Sequence, residues 1–353
     1  MLYNSDKSFK ILSIDGGGVR GIYPAKILAE LESELVNQNK RVTNLNNYFD
    51  LICGTSTGGI IALGLALGMK ADQIFNLYKN HSADIFGSPR NLIERLFRPK
   101  YSQKELRRLI NREFTKSAGI NDPKIGHCKT RICIPVYNAG EGQVNIIKTS
   151  HHPELYRDLN YPAVDVAQST AAAPTFFKPH SFSYKVNKND KVERRINNID
   201  AGVFANNPTF IGLIEATRTL DVPLEKVKIL SLGTGSTKFI EKETDKNFGM
   251  YYWMKPKKLR MVNLFFSSQA NDVENVIKFF HQGVGSKDQE EFYYRRLQYE
   301  FKSGQAIDLD ESNPLKLSKM IAQAISDFKE SGQELVKEFC EQPITPFQPH
   351  HNL

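Results

Sequence analysis

The chain has 353 residues, 40% of them hydrophobic and 24% charged, with a formal net charge of +8. That length and balance fit one large α/β domain or two small ones and exclude disordered and collagenous classes. The longest apolar run, Ile60 to Met69, is too short for a membrane span, and after the polar first ten residues no secretory signal is expected. Lys10 to Asp15 reads as a short buried strand ending in an acid. Ile22 to Leu35 carries apolar residues at helical spacing. Tyr48 to Cys53 is a second strand and Gly58 to Met69 a second helix, followed by amphipathic helices over Ala71–Asn80 and Ser102–Phe114. Strands at Thr130–Val136 and Val144–Lys148 flank the turn N-A-G-E-G. Val164–Ala172 reads as a helix that stops before Pro174. A strand, Ile196–Asp200, precedes a helix over Thr209–Leu220, and Lys226–Leu232 is a strand ending at G-T-G-S.

Strands and helices alternate from residue 10 to about 235, which predicts a mostly parallel central sheet sandwiched by helices. Beyond that point the pattern is mainly helical with polar breaks, and the Pro- and His-rich tail after Gln342 reads as loose. The four cysteines, Cys53, Cys128, Cys133 and Cys340, make no disulfide framework, and a reduced cytoplasmic setting is expected. Cys128 and Cys133 stand near His127 but lack a second ligand pair at zinc spacing, so no metal is expected.

Two stretches carry the chemistry. In Gly54-Thr55-Ser56-Thr57-Gly58 a serine lies between a strand and a helix, with glycines two before and two after it. A nucleophile elbow needs that pattern, because the chain reverses too tightly there for side chains. Asp15-Gly16-Gly17-Gly18-Val19-Arg20-Gly21 satisfies G-x-G-x-x-G, so a dinucleotide site has to be weighed. That site wants an acid at the end of a second strand roughly 20 residues on, and here the chain is still leaving a helix. Glycine N–H groups facing one oxyanion suit the order better.

The proton acceptor is less plain. None of the eight histidines ends a convincing strand; His281, in K-F-F-H-Q-G, is the best of them for a Ser-His-Asp triad. Asp200 does end a strand, followed by Ala201 and Gly202, and an Asp beside a serine can serve as base without histidine.

D-G-G-G-V-R-G, G-T-S-T-G and D-A-G, in that order, resemble the patatin-like phospholipase family of serine acyl hydrolases. The likeness extends to Y-F-D-L-I-C before the elbow, to Ser169–Phe177 (S-T-A-A-A-P-T-F-F) and to Ile229–Gly235 (I-L-S-L-G-T-G), covering about residues 8 to 236. It implies a catalytic dyad of Ser56 and Asp200, and an oxyanion loop of Gly16, Gly17, Gly18 and Arg20. Gly54 and Gly58 frame the elbow, Gly202 belongs to the acid turn, and neither metal nor organic cofactor is implied. The acid turn of the family is commonly Asp-Gly-Gly or Asp-Gly-Ala, whereas Ala201 stands here. On this resemblance residues 1–236 are a catalytic core and 237–353 a C-terminal helical extension packed on it.

The resemblance also implies a membrane phospholipid as substrate, met by peripheral association. Tyr251 to Met261 mixes the single Trp, two Tyr and four basic residues, a composition suited to a membrane interface. Stand-alone bacterial members include cyclic-nucleotide-activated anti-phage effectors, so a cyclic-dinucleotide activator and a homo-oligomer are both compatible with the sequence. The basic clusters Arg194-Arg195, Lys255–Arg260 and Arg295-Arg296 read as solvated surface, and no motif for a nucleic-acid polymer accompanies them.

Overall fold

The computed structural model describes residues 7–86, 94, 98–186, 191–236, 248–254, 260–282, 292–302 and 306–353. Its sheet is built outward from β1 (Phe9–Ile14), six apolar-rich residues buried along their whole length, as a strand covered on both faces must be. β2 (Leu51–Gly54) and β7 (Val227–Leu232) flank β1, and both run parallel to it. β3 (Arg131–Asn138) continues beyond β2 and β8 (Tyr293–Leu297) beyond β7, again parallel. β4 (Gln143–Lys148) and β6 (Lys191–Asp200) pair antiparallel with β3, and β5 (His180–Val186) pairs with β6. The order β5-β6-β3-β2-β1-β7-β8 makes the centre parallel and confines the antiparallel pairs to one side.

Alternate strand residues feed two cores. Leu12, Ile14, Ile52 and Leu230 join α1 (Ile22–Asn37), α2 (Thr57–Ala66), α3 (Ala71–Phe86), α4 (Lys104–Ala118) and α5 (Ala163–Thr170) in the larger one. Ile11, Leu51, Cys53 and Ile229 face a smaller core under α7 (Thr209–Ile214) and α9 (Arg260–Gln282). The short α6 (Gly202–Ala205) follows β6, and α8 (Met250–Met254) precedes α9. The long C-terminal α10 (Pro314–Cys340) packs along α1. From β1 the chain moves one way to β2 and β3, and later returns to add β7 and β8 on the other side. Ligands of open α/β sheets bind where strand order reverses in this manner, beyond the strands' carboxyl ends.

Three expectations need correction. β5 and β8 are strands that periodicity did not reveal: each alternates weakly because polar and aromatic residues occupy both faces. The tail is pinned rather than loose. The Ile344 N–H donates to the Asn47 carbonyl at 2.8 Å and the His350 N–H to the Ser150 carbonyl at 2.7 Å, while Phe347 is buried. Prolines at 343, 346 and 349 remove donors, and the amides of Ile344, His350 and His351 are used for docking. Lastly, Arg195 and Arg296 are not solvated surface but buried.

Arg296 places its guanidinium on the Asp15 carboxylate, with Nη2–Oδ2 at 2.6 Å and Nη1–Oδ1 at 3.3 Å, and also reaches Ser231 Oγ and Glu274. Burial holds the Asp15 carboxyl above its ordinary value, and Arg296 offsets that only in part. Removing one partner leaves a buried charge uncompensated, which costs about 3–5 kcal/mol. Arg296→Met should therefore lose about that much stability in urea unfolding at pH 7, whereas Asp15→Asn combined with Arg296→Met should recover part of it.

Candidate active site

Ser56 sits between β2 and α2 at φ 55° and ψ −121°, a left-handed conformation that a non-glycine residue adopts at a cost of about 1–3 kcal/mol. The strain follows from how tightly the chain reverses. A Cβ on Gly54 would lie 2.1 Å from the Gly58 carbonyl oxygen, and one on Gly58 would lie 2.2 Å from that of Ile14. Both glycines are needed for the reason read in the sequence. The turn is held from outside as well: the Ser56 N–H donates to Thr170 Oγ1 at 3.0 Å, and that hydroxyl donates to the Pro135 carbonyl at 3.1 Å.

Asp200 ends β6 and is 1% exposed. Its Oδ1 accepts the Gly202 N–H at 2.8 Å, and its own N–H donates to the Ala172 carbonyl at 3.1 Å. Oδ2 is buried with no partner in hydrogen-bond geometry. Burial raises the carboxyl to about 7, against a smaller opposing pull from the Ser56 hydroxyl and then the Gly202 N–H. Ala201, where the related turns carry glycine, lies at φ −75° and ψ −2°, so its methyl is tolerated. Gly202 is less free, since a Cβ there would come within 2.6 Å of the Phe266 ring.

Residues 170–172 thus hold Ser56 through one side chain and Asp200 through one carbonyl. Thr170's part leaves no mark in the sequence; the S-T-A-A-A-P stretch was legible only as a segment.

The glycine loop follows β1 beside the elbow. The Gly16 N–H donates to the Asn206 carbonyl at 2.9 Å and the Arg20 N–H to the Gly17 carbonyl at 3.2 Å. The Val19 N–H donates to the Leu309 carbonyl at 2.8 Å. Among the described residues, the N–H groups of Gly17 and Gly18 are left without a protein acceptor. Arg20 is held down to about 10 by burial, with Asp308 and Asp15 opposing.

Ser56, Asp200, Gly18 and Thr57 line one cavity whose remaining wall is apolar, including Ile60, Leu106, Phe176, Phe177, Phe266 and Leu309. It is narrow: only about 50 Å³ admits the centre of a water molecule. His281 is elsewhere, with Nδ1 2.6 Å from the Phe292 carbonyl and no part in lining this cavity. His127 Nδ1 accepts the Lys124 N–H, and Cys133 lies beside Cys53 across β2 and β3.

A family model described as patatin-like phospholipase matches residues 12–213. A cGAMP-activated phospholipase of Escherichia coli (strain TW11681) is 36% identical over 233 residues, which are 64% of this chain and 62% of that protein. The match therefore spans less than two thirds of that relative's length. A like-named protein of Pseudomonas aeruginosa (strain BWHPSA011 / Pa011) is 29% identical over 353 residues, 97% of this chain and 92% of its own. Patatin-like protein 2 of Arabidopsis thaliana is 32% identical over 333 residues, covering 85% and 78%.

Thr170→Val would leave the buried Ser56 N–H without an acceptor, a loss of about 1–3 kcal/mol. Labelling of Ser56 by a fluorophosphonate should slow by about tenfold, and Thr170→Ser should restore it. Equal rates in all three proteins would show that the hydroxyl does not hold the elbow.

Proposed function

The chain belongs to the patatin-like phospholipase family, and we propose that it releases fatty acid from membrane glycerophospholipids with a Ser56–Asp200 dyad. The observation that carries this reading is the shared cavity: a strained serine and a buried carboxyl of pKa about 7 on one apolar wall. Asp200 accepts the Ser56 proton as Oγ bonds the ester carbonyl carbon. The oxyanion is received by the N–H groups of Gly17 and Gly18, within the loop of Gly16, Gly17, Gly18 and Arg20. Each such donor is worth about 2.7–4 kcal/mol in the transition state. The C–O bond then breaks, the lysolipid alcohol takes the proton from Asp200, and the acyl group stays on Ser56. Water attacks this ester with Asp200 again as base, freeing the acid and the serine. Residues 1–236 are the catalytic core in this reading, and 237–353 an extension that completes it through Arg296 and Leu309.

The site would be met from a membrane. Among the described residues no helix is long and apolar enough to cross one. Around α8 and the start of α9, Met250, Met261 and Phe265 are exposed, and the next residue, Phe266, lines the cavity. Tyr252 and Trp253 stand on the same stretch, with Arg260 stacked 3.9 Å from the Tyr252 ring centroid. Lys255, Lys257 and Lys258 lie outside the described residues. Peripheral association from the cytoplasm fits this face. Ligand control is a second reading, supported by the cGAMP-activated relatives and by Leu309, which lines the cavity and whose carbonyl lies against Gly18. A ligand that moved such a state from 1:99 to 99:1 would need about 5.5 kcal/mol of differential affinity; activity with and without cyclic GMP–AMP tests it.

Ser56→Ala should abolish hydrolysis and fluorophosphonate labelling with the fold intact; labelling at another serine would sink the assignment. Because the carboxylate form is the base, kcat/KM should rise with pH below about 7 and level off above it. Asp200→Asn should be nearly as inactive as Ser56→Ala. It should also be more stable than the parent at pH 8. The folded carboxyl titrates above its unfolded value, so ionising it costs about 4 kcal/mol above pH 7. That gain should shrink as pH falls from 7 toward 4, which urea unfolding at several pH values would show.

Met250→Ser with Phe265→Ser should weaken liposome binding and hydrolysis of bilayer lipid while sparing a soluble short-chain ester. Equal losses on both substrates would place these residues in the fold instead.

A further inference from the structure

On the far side of one cavity wall lies an open groove of about 570 Å³, and its chemistry is unlike that of the cavity. The wall is formed by Tyr101 and Phe177, whose rings are 6.1 Å apart; Phe177 faces the cavity and Tyr101 the groove. Leu106 on α4 also lines the cavity, while Lys104 and Arg107 of the same helix line the groove. Arg98 comes from the segment before α4, and Lys178 and His180 from the entry to β5.

Charge in the groove is one-sided. Among the described residues, Asp165 beneath it is largely buried and already shared between Arg107 and His180 Nε2, the latter at 2.9 Å, and Asp310 accepts from the Tyr101 hydroxyl at 2.8 Å while paired with Lys100. Arg107 also donates to Gln168 Oε1 at 2.6 Å. Among the described residues Arg98, Lys104 and Lys178 make no ion pair, and all three are exposed. A neighbouring hollow shares Lys104 and Arg107 and runs along α4, lined by Arg108, Arg112, Lys116 and Asp122, with Arg108 and Arg112 paired to Glu105 and Glu113. Arg98 and Lys104 from the entry to α4 and Lys178 from the entry to β5, with Arg107 fixed among them, form a place for a compact anion bearing several acceptor oxygens.

We propose that this groove binds a phosphodiester or phosphate group through Arg98, Lys104, Arg107 and Lys178. Two sources share that chemistry: the headgroup of an anionic lipid, and a soluble cyclic dinucleotide. A lipid phosphate held here would lie across one side-chain layer from the acyl cavity. A soluble ligand would rest on α5, whose last residue, Thr170, holds Ser56. The binding does not depend on the catalytic reading, which is why it is best measured on a Ser56→Ala protein that cannot consume lipid.

The test has two arms with the full chain. One is calorimetric titration with cyclic GMP–AMP; the other is co-sedimentation with vesicles of phosphatidylglycerol against phosphatidylcholine. Each is run on the parent, on Lys104→Glu/Lys178→Glu, and on Lys319→Glu/Lys329→Glu, which changes net charge equally on α10. Hydrogen bonds to charged groups contribute about 1.5–3 kcal/mol each, so the groove variant should lose at least about tenfold in affinity. The α10 variant should stay near the parent, and binding should weaken with salt. Binding in one arm alone identifies the source. Equal losses in both variants, or no binding by the parent in either arm, overturn the proposal. Lys104→Gln/Lys178→Gln, a milder change, guards against misfolding of the reversed pair and should fall between parent and reversal.

Discussion

Everything at this site hangs on a reversal of the chain in space that admits no side chain on either flank. β2 and α2 approach so closely that Gly54 touches the Gly58 carbonyl and Gly58 touches that of Ile14. The residue between them is forced into a left-handed conformation, and it is a serine. Such a turn persists only where its surroundings over-determine it. Here they do so through Thr170, whose oxygen takes the Ser56 amide, and through the tight packing of Gly59 against the same threonine.

The same economy couples the serine to the acid. Asp200 is carried by a different strand, yet the chain that fixes Ser56 also fixes Asp200, because Thr170 and Ala172 belong to one turn at the end of α5. Burial then does the electrostatic part, holding the carboxyl near 7 without a charged neighbour. The apolar lining of the cavity thus has an electrostatic consequence: it makes a carboxylate basic enough for the proposed proton transfer.

Much of this was legible in the sequence, and the parts that were not share a cause. The elbow, the glycine loop and the parallel centre of the sheet are local: each is written in consecutive residues whose spacing has one physical meaning. Asp200 was legible from its place at a strand end. By contrast, β8 was hidden because Y-Y-R-R-L has no clean alternation, and Arg296 looked like surface charge because its partner is Asp15, far away in the chain. Thr170 gave no signal, since a threonine that accepts one backbone amide leaves no pattern. Gly16 and Arg20 looked equivalent to Gly17 and Gly18 in sequence; only their amides' use by Asn206 and Gly17 separates them.

The Asp15–Arg296 pair spans 281 positions of chain, and that separation has a temporal side. A ribosome adding about 5–20 residues per second makes the elbow and the glycine loop well before Arg296 exists. Until then Asp15 has no guanidinium to meet, and the strand that leads into the glycine loop must either stay hydrated or take up a proton. The strand that leads into the glycine loop therefore gains the guanidinium that offsets its buried acid only after 281 further residues have been added.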